Sequence, residues 1–430
     1  MSSAPAVSEE SAAPNSGPAS EPAPAPPPRV RHPLTLPHFR SLWIGSTISL
    51  LGDQFYLVAL PWLVLQITGS RLALGTILMT AAVPRAVFML LGGAVTDRIS
   101  ARRVLIGTAV TRTVLVGAVA ALIWFQKIEL WELYVLTFAF GVADAFSFPA
   151  GGALVPTLVE PEQLRPANAL FQGSTVLTQM AGPAPAGFLI SAFGVASALF
   201  FDALSFLGVI VALFKVPEPP KAPKPQGGQA GSGMLHSIAE GLRAVRRDPA
   251  LLSLMFLFGA LNFCVAGPIG VGLAVMAKDR FHSAVAFGTF LSCFSAGMLV
   301  GIVLGGRVKK PRRRGLQLAI MSVLTGLELI GMGLAPKYVV ITVLLALMGL
   351  GVGVVNVQFS SWVQLRVERA VLGRVMSVLM LAVVGLNPLS LTAAGALAEW
   401  NLNAVFILYG ALLASASLLA IGGRAAREID

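Results

Sequence analysis

The chain has 430 residues, 56% of them hydrophobic and only 12% charged, with a mean hydropathy of +0.79. Ordinary globular domains carry about 25% charged residues, so the composition excludes that class. The net charge of +11 reads as the lysine and arginine excess of membrane loops rather than as a nucleic-acid surface.

Residues 1–37 are rich in proline, alanine and serine and cannot bury enough surface to order, which predicts a disordered tail. No cleavable secretory signal precedes the first apolar run. Apolar stretches of about 20 residues then recur, each long enough to cross a hydrocarbon core of about 30 Å. The first six cover roughly 42–66, 73–95, 104–125, 131–152, 167–191 and 195–214. A proline- and glycine-rich break follows, "KVPEPPKAPKPQGGQAGSG". After it, Ile238, Leu242 and Val245 recur at helical spacing beside Arg243, Arg246 and Arg247, which predicts an amphipathic helix on the membrane surface. Six more stretches cover roughly 250–273, 284–306, 315–335, 338–360, 371–396 and 402–422. The predicted fold is therefore an all-α polytopic membrane protein with twelve transmembrane helices. The predicted domains are a six-helix bundle at 38–214, a linker at 215–249, a second six-helix bundle at 250–422 and a short tail at 423–430.

Placing both termini on one side puts twenty-four loop lysines and arginines there and five on the other. The positive-inside rule makes the crowded side cytoplasmic. The two halves also echo each other. "GGAVTDRISARR" closes the second stretch and "GGRVKKPRRRG" the eighth, while Val159, Glu160 and Leu164 recur 208 residues later as Val367, Glu368 and Leu372. Parallel six-span repeats related by an axis along the membrane normal are one plan of secondary transporters.

Against that background, Gly93, Asp97, Arg98 and Arg102 resemble the loop motif of the major facilitator superfamily between spans two and three. Ser100 stands where the motif usually has glycine, Ala101 replaces its first arginine, and Arg103 adds a charge. In the fifth span, Gly182, Pro183 and Gly187 resemble the family's exporter motif, and Ala186 departs from it. Several longer stretches, among them "GDQFYLVALPWLVLQITGS" and "FPAGGALVPTLVEPEQLRPANAL", resemble the bacterial macrolide-efflux and enterobactin-exporter branch. The resemblance spans residues 38 to 422 or so. It implies two six-helix bundles that rock about a midplane site in a bacterial inner membrane, with both termini cytoplasmic. It also implies export of a hydrophobic or amphipathic small molecule, a drug such as a macrolide or a siderophore, by proton antiport. Uptake symport or lipid flipping on the same fold is the alternative, and a non-transport sensor or scaffold a further one. In the loop motif, Gly93 would permit close packing and Asp97 would face the N-terminal end of the eleventh span, while Arg98, Arg102 and Arg103 hold the cytoplasmic face.

Charges inside spans are costly and carry a functional hypothesis. At 1.5 Å per residue, Asp53 and Arg85 lie roughly 15 Å above the cytoplasmic edge, and Arg112 and Asp144 about 12 Å. Two acids and two bases from spans one to four thus share a depth. An acid beside an arginine keeps its charge and a desolvated one favours the neutral form, so proton exchange at Asp53 or Asp144 is the functional reading. A static network tying four spans together is the other. The family's usual fourth-span arginine has no match, and Arg112 is the residue placed to act for it. Glu328 is the second half's one intramembrane charge. Gln54 and Tyr56 follow Asp53 and suit a bulky or cationic ligand. Asp202, near the start of the sixth span, reads as a cap or interhelical bond at the outer edge.

The expected partners are a small-molecule substrate, protons and the bilayer, without nucleic acid, and a monomer is the expected functional unit. Four scattered histidines, the isolated Cys264 and Cys293, and the lack of a phosphate-binding loop point to no cofactor, no metal and no enzymatic activity.

Overall fold

A computed structural model describes residues 32–218, 234–307 and 314–422, and every regular element among them is helical. The predicted tail falls almost wholly outside these residues, as do the proline-rich break and most of the basic "VKKPRRR" run. In the first half, α1 spans Pro37–Thr68, α2 Arg71–Ile99, α3 Ala101–Trp124 and α4 Leu130–Leu154. α5 (Leu164–Ala181) and α6 (Pro183–Phe193) follow, then α7 (Val195–Lys215). α8 is Met234–Arg247. The second half holds α9 (Pro249–Gly267), α10 (Leu273–Phe281), α11 (Ala284–Arg307), α12 (Arg314–Leu334), α13 (Tyr338–Arg366), α14 (Arg369–Trp400) and α15 (Leu402–Gly422).

Eleven helical runs are long and apolar enough to cross a bilayer, and α5 with α6 makes a twelfth if the pair, bent by 43°, is one span. The bend falls at Gly182–Pro183, where proline lacks the N–H that would continue the ladder. The seventh span runs further than its apolar stretch suggests. A π-helical turn at Pro268–Gly272 joins α9 to α10, so the helix continues to Phe281 and carries Lys278 and Arg280 on its last turns.

Within the first half α1 packs on α7, α2 on α4, and α3 on both α4 and α7. Within the second, α11 packs on α13, α12 on α13 and α15, and α14 on α9. Contact between the halves runs through α2 against α14 and α6 against α11. Small residues permit it: a Cβ on Gly75 would stand 2.6 Å from the Leu391 oxygen and 3.1 Å from the Gly395 Cα.

One turn and one helix depart from expectation. Ser100, between α2 and α3, has φ 141°, a backbone region that favours glycine. The serine therefore sits at the strained turn where the resembling motif carries glycine, and its side chain accepts a hydrogen bond from Arg103 N at 3.4 Å. The amphipathic α8 does not simply lie on a membrane surface. Val245 on its apolar face is fully buried, Gly241 meets the Arg374 backbone, and Glu240 pairs with Arg374 at 2.5 Å, so that face docks on α14.

Candidate functional site

Four of the intramembrane charges converge. α1 positions Asp53, α2 Arg85, α3 Arg112 and α4 Asp144. Arg112 Nη2 pairs with Asp53 Oδ1, and its Nη1 lies 3.6 Å from Asp144 Oδ1. Asp144 Oδ2 in turn takes Arg85 Nε at 2.6 Å. The result is a continuous chain, Asp53–Arg112–Asp144–Arg85, with charges that alternate and balance. Its centre is dry: Arg112 is 8% exposed and lies over the rings of Phe206 and Phe140, 4.3 and 4.8 Å from their centroids. Such cation–π contacts strengthen where water is excluded. Its far end is wetter, with the Arg85 side chain 47% exposed.

The remaining sequence-derived positions divide. Tyr56 stacks on Phe140, centroids 4.5 Å apart, and so joins the aromatic wall of the cluster. Gln54 is buried against the bend instead: a Cβ on Gly182 would stand 2.6 Å from Gln54 Cβ, and the amide reaches back to Leu50 O at 3.5 Å. Glu328 lies apart from the cluster, on α12 among α13 and α15, and its Oε2 is buried without a hydrogen-bond partner among the described residues. Gly187 and Gly288 let α6 and α11 touch through their backbones at Ala284 and Pro183, and Ala184 N donates to Ser292 Oγ at 3.1 Å. The exporter-type motif is thus both a bend and a contact between halves.

Asp202 was misplaced by sequence reasoning. It lies beside the cluster rather than at an edge: it is 0% exposed, and a Cβ on Gly52, next to Asp53, would stand 2.7 Å from Asp202 Oδ1. Neither carboxylate oxygen has a partner at hydrogen-bonding geometry among the described residues, and the neighbouring Ser205 hydroxyl donates to the Asp202 carbonyl at 2.7 Å. Depth counting failed because α1 continues past the start of α7, so a residue about two turns into α7 lies beside mid-α1. The usable signal was the acid itself, alone in the apolar "FFDALSF".

Charges also lock the bundle at one end. Call the end where α1 begins and α15 finishes the terminal end, and the opposite one the distal end. At the distal end, the pairs cross between halves. Arg71 Nη2 meets Asp279 at 2.7 Å and Arg71 N donates to Glu399 at 2.8 Å, while Lys278 donates to the Leu65 carbonyl. At the terminal end, the ion pairs among the described residues join each half to the chain segment next to it. Arg103 pairs with Glu218 at 2.7 Å and Arg102 donates to Leu213 O at 2.8 Å, while Arg366 pairs with Asp248 at 2.8 Å. The side chains of Gly93, Asp97 and Arg98 lie outside the described residues.

Comparison with known proteins places this geometry. The family model described as Major Facilitator Superfamily matches residues 42–387. The chain is 24% identical over 384 residues to macrolide efflux protein A of Streptococcus pyogenes, covering 87% of this chain and 93% of that protein. It is 27% identical over 400 residues to multidrug efflux pump Tap of Mycobacterium tuberculosis (strain ATCC 25618 / H37Rv), covering 90% and 93%. Among solved structures, it superposes on the nucleoside transporter NupG with a TM-score of 0.70 at 12% identity, covering 90% of this chain and 98% of that one. It superposes on a bacterial homologue of the iron transporter ferroportin, in an inward-facing state, with a TM-score of 0.68 at 17% identity, covering 90% and 98%.

Proposed function

Since the chain belongs to the Major Facilitator Superfamily and is a transporter rather than an enzyme, we propose that it exports hydrophobic or amphipathic small molecules by proton antiport. The observation that carries the proposal is the ion chain Asp53–Arg112–Asp144–Arg85 in the interior of the first half. A proton arriving at Asp53 neutralises it and frees one hydrogen-bonding arm of Arg112, which Asp144 then holds alone. That exchange changes the pairing of α1 with α3 and leaves α3 tied to α4, the kind of two-state element that alternating access requires. Asp202 belongs to the same machinery, as a buried acid close to Asp53.

With both termini cytoplasmic in a bacterial inner membrane, the cross-linked distal end is the outer one and the conformation is inward-facing. The Arg71–Asp279 and Arg71–Glu399 contacts then form the outer closure, and opening requires them to break. The loop residues Gly93, Asp97, Arg98, Arg102 and Arg103 serve the opposite closure. The bend at Gly182–Pro183 changes the direction of the span where α5 and α6 both meet α11. The working unit is a monomer of two bundles, 38–214 and 250–422. Each charge moved inward at 100 mV supplies about 2.3 kcal/mol, enough for a modest gradient of a neutral substrate. The efflux relatives support a drug-like substrate such as a macrolide; a siderophore is the other chemistry of that size.

Everted vesicles test this directly. Accumulation of a macrolide, a cationic dye or a catecholate siderophore is expected to collapse when an uncoupler is added. Asp53→Asn is expected to remove most of the uncoupler-sensitive component while ligand binding persists. Export that ignores the uncoupler, or an Asp53→Asn protein with wild-type coupling, sinks the proton reading, and substrate leaving the vesicle lumen instead of entering it would favour uptake symport.

A further inference from the structure

The second half holds a mid-span cavity with a different chemistry. This open cavity has about 130 Å³ between α9, α13 and α14 and is lined by Asn262, Asn356 and Asn387 together with Leu261, Val265 and Val352. Nδ2 of Asn262 donates to the Phe258 carbonyl at 2.8 Å, and Nδ2 of Asn356 to the Val352 carbonyl at 3.2 Å. Each amide oxygen is left without a donor among the described residues. Asn387 makes no side-chain hydrogen bond among them at all. One turn toward the terminal end, the rings of Phe258 and Phe359 stack 3.9 Å apart.

The internal repeat says what this cavity is equivalent to. At the separation of 208 that relates the two halves, Leu261 corresponds to Asp53 and Val352 to Asp144. The cavity therefore occupies the position in the second half that the ion chain occupies in the first, with both acids replaced by aliphatic side chains. Polar contact comes from neutral amides instead. Such a lining cannot offset the desolvation of a charge. It offers two amide oxygens to a hydroxyl donor, a full amide for a second hydroxyl or carbonyl, and hydrocarbon walls on either side.

We infer that this amide cavity is the docking subsite for an uncharged, hydroxyl-bearing portion of the exported molecule. The inference rests on the efflux reading and adds a division of labour to it. The first half moves the proton, and the second half reads the ligand. Whole-ligand pockets run from roughly 300 to 1,000 Å³, so a cavity of about 130 Å³ takes one ring or a short hydroxylated segment of a larger molecule.

The test compares two probes on purified full-length protein. Erythromycin carries several hydroxyls; ethidium carries none and is a permanent cation. In the double variant Asn356→Leu, Asn387→Leu, the Kd for erythromycin is expected to rise about tenfold, the loss of two hydrogen bonds of about 0.5–1.5 kcal/mol each. The Kd for ethidium is expected to stay within about twofold, which also reports that the variant is folded. Asn356→Ser, which keeps a hydrogen-bonding group, is expected to fall between wild type and Asn356→Leu. Equal losses for both probes, or unchanged erythromycin binding, overturn the subsite while the efflux reading stands. A wild-type protein that binds neither probe overturns the efflux reading and the subsite with it.

Discussion

The two halves share a helix plan and diverge in what they carry at mid-span. The first holds Asp53, Arg85, Arg112 and Asp144 in one ion chain with Asp202 beside it. The second, at the repeat-related positions Leu261 and Val352, holds no charge, and three asparagines line its cavity. Even Asp202 has Gly410 at its repeat position, packed backbone to backbone on Gly326. The difference teaches that a repeated helix plan can keep its packing while the two copies carry different side chains at mid-span. Among the described residues the halves meet through contacts between small residues, the distal ion pairs and a few hydrogen bonds such as Ala184 N to Ser292 Oγ.

The strongest way to break the contrast is to remove the shared cation. Arg112→Ala leaves Asp53 and Asp144 without their common partner in a dry site, and stranding buried charges costs about 3–5 kcal/mol. A large drop in the unfolding temperature of the detergent-solubilised protein is expected, with loss of uncoupler-sensitive export. An Arg112→Ala protein of wild-type stability would mean that the first-half chain is as dispensable as the second half's missing charges.

Asp202 sharpens the contrast next. Because its oxygens are buried without a partner at hydrogen-bonding geometry among the described residues, replacing it with an apolar residue of similar volume is expected to change stability by less than about 1.5 kcal/mol. Export should nonetheless fall severalfold. Thermal unfolding and vesicle transport on Asp202→Leu read the two quantities separately, and a stable, fully active variant reduces Asp202 to a bystander.

The terminal ends give smaller effects. In the second half Asp248 caps α9, accepting from Ala250 N at 3.0 Å and Leu251 N at 3.3 Å, and it pairs with Arg366. Partial burial pushes its carboxyl upward, but the Arg366 hydrogen bond and the backbone donors outweigh this and hold it below the usual range. The stabilisation of a depressed acid is present above its unfolded pKa of about 3.9 and is lost as pH falls through the folded value. Wild-type protein should therefore lose stability below about pH 4, and Asp248→Ala should show less of that loss while starting about 1 kcal/mol lower from the missing cap. Thermal melts from pH 7 to 3 measure both. In the first half the strain sits at Ser100, and Ser100→Gly is expected to stabilise by about 0.5–1 kcal/mol. A destabilised Ser100→Gly would mean that the side-chain bond to Arg103 N outweighs the strain.

How much was legible follows from what kind of information each feature needs. Long apolar runs gave the spans because crossing hydrocarbon demands local, contiguous composition. The four charges were legible because an ion in a span is rare enough to count and their depths agreed. Asp202 was visible as a residue but not as a neighbour, since its place beside Gly52 depends on how far α7 is offset along α1. The amide cavity gave no signal at all. An asparagine in an apolar run is unremarkable, and only the meeting of α9, α13 and α14 brings three of them together. The docking of α8 on α14 was equally hidden, because an amphipathic face fits a protein groove as well as a membrane surface.

The sequence by itself determined the membrane class, the twelve apolar segments, the repeat and the pool of intramembrane acids and bases. These are consequences of transfer free energy, which each segment settles on its own. Only the tertiary structure decided which charges share a partner, which acid is left without one, that the distal end is the locked end, and that the second half opens an uncharged cavity. Those depend on helix offset and rotation, which are set by small residues meeting across interfaces far apart in the chain.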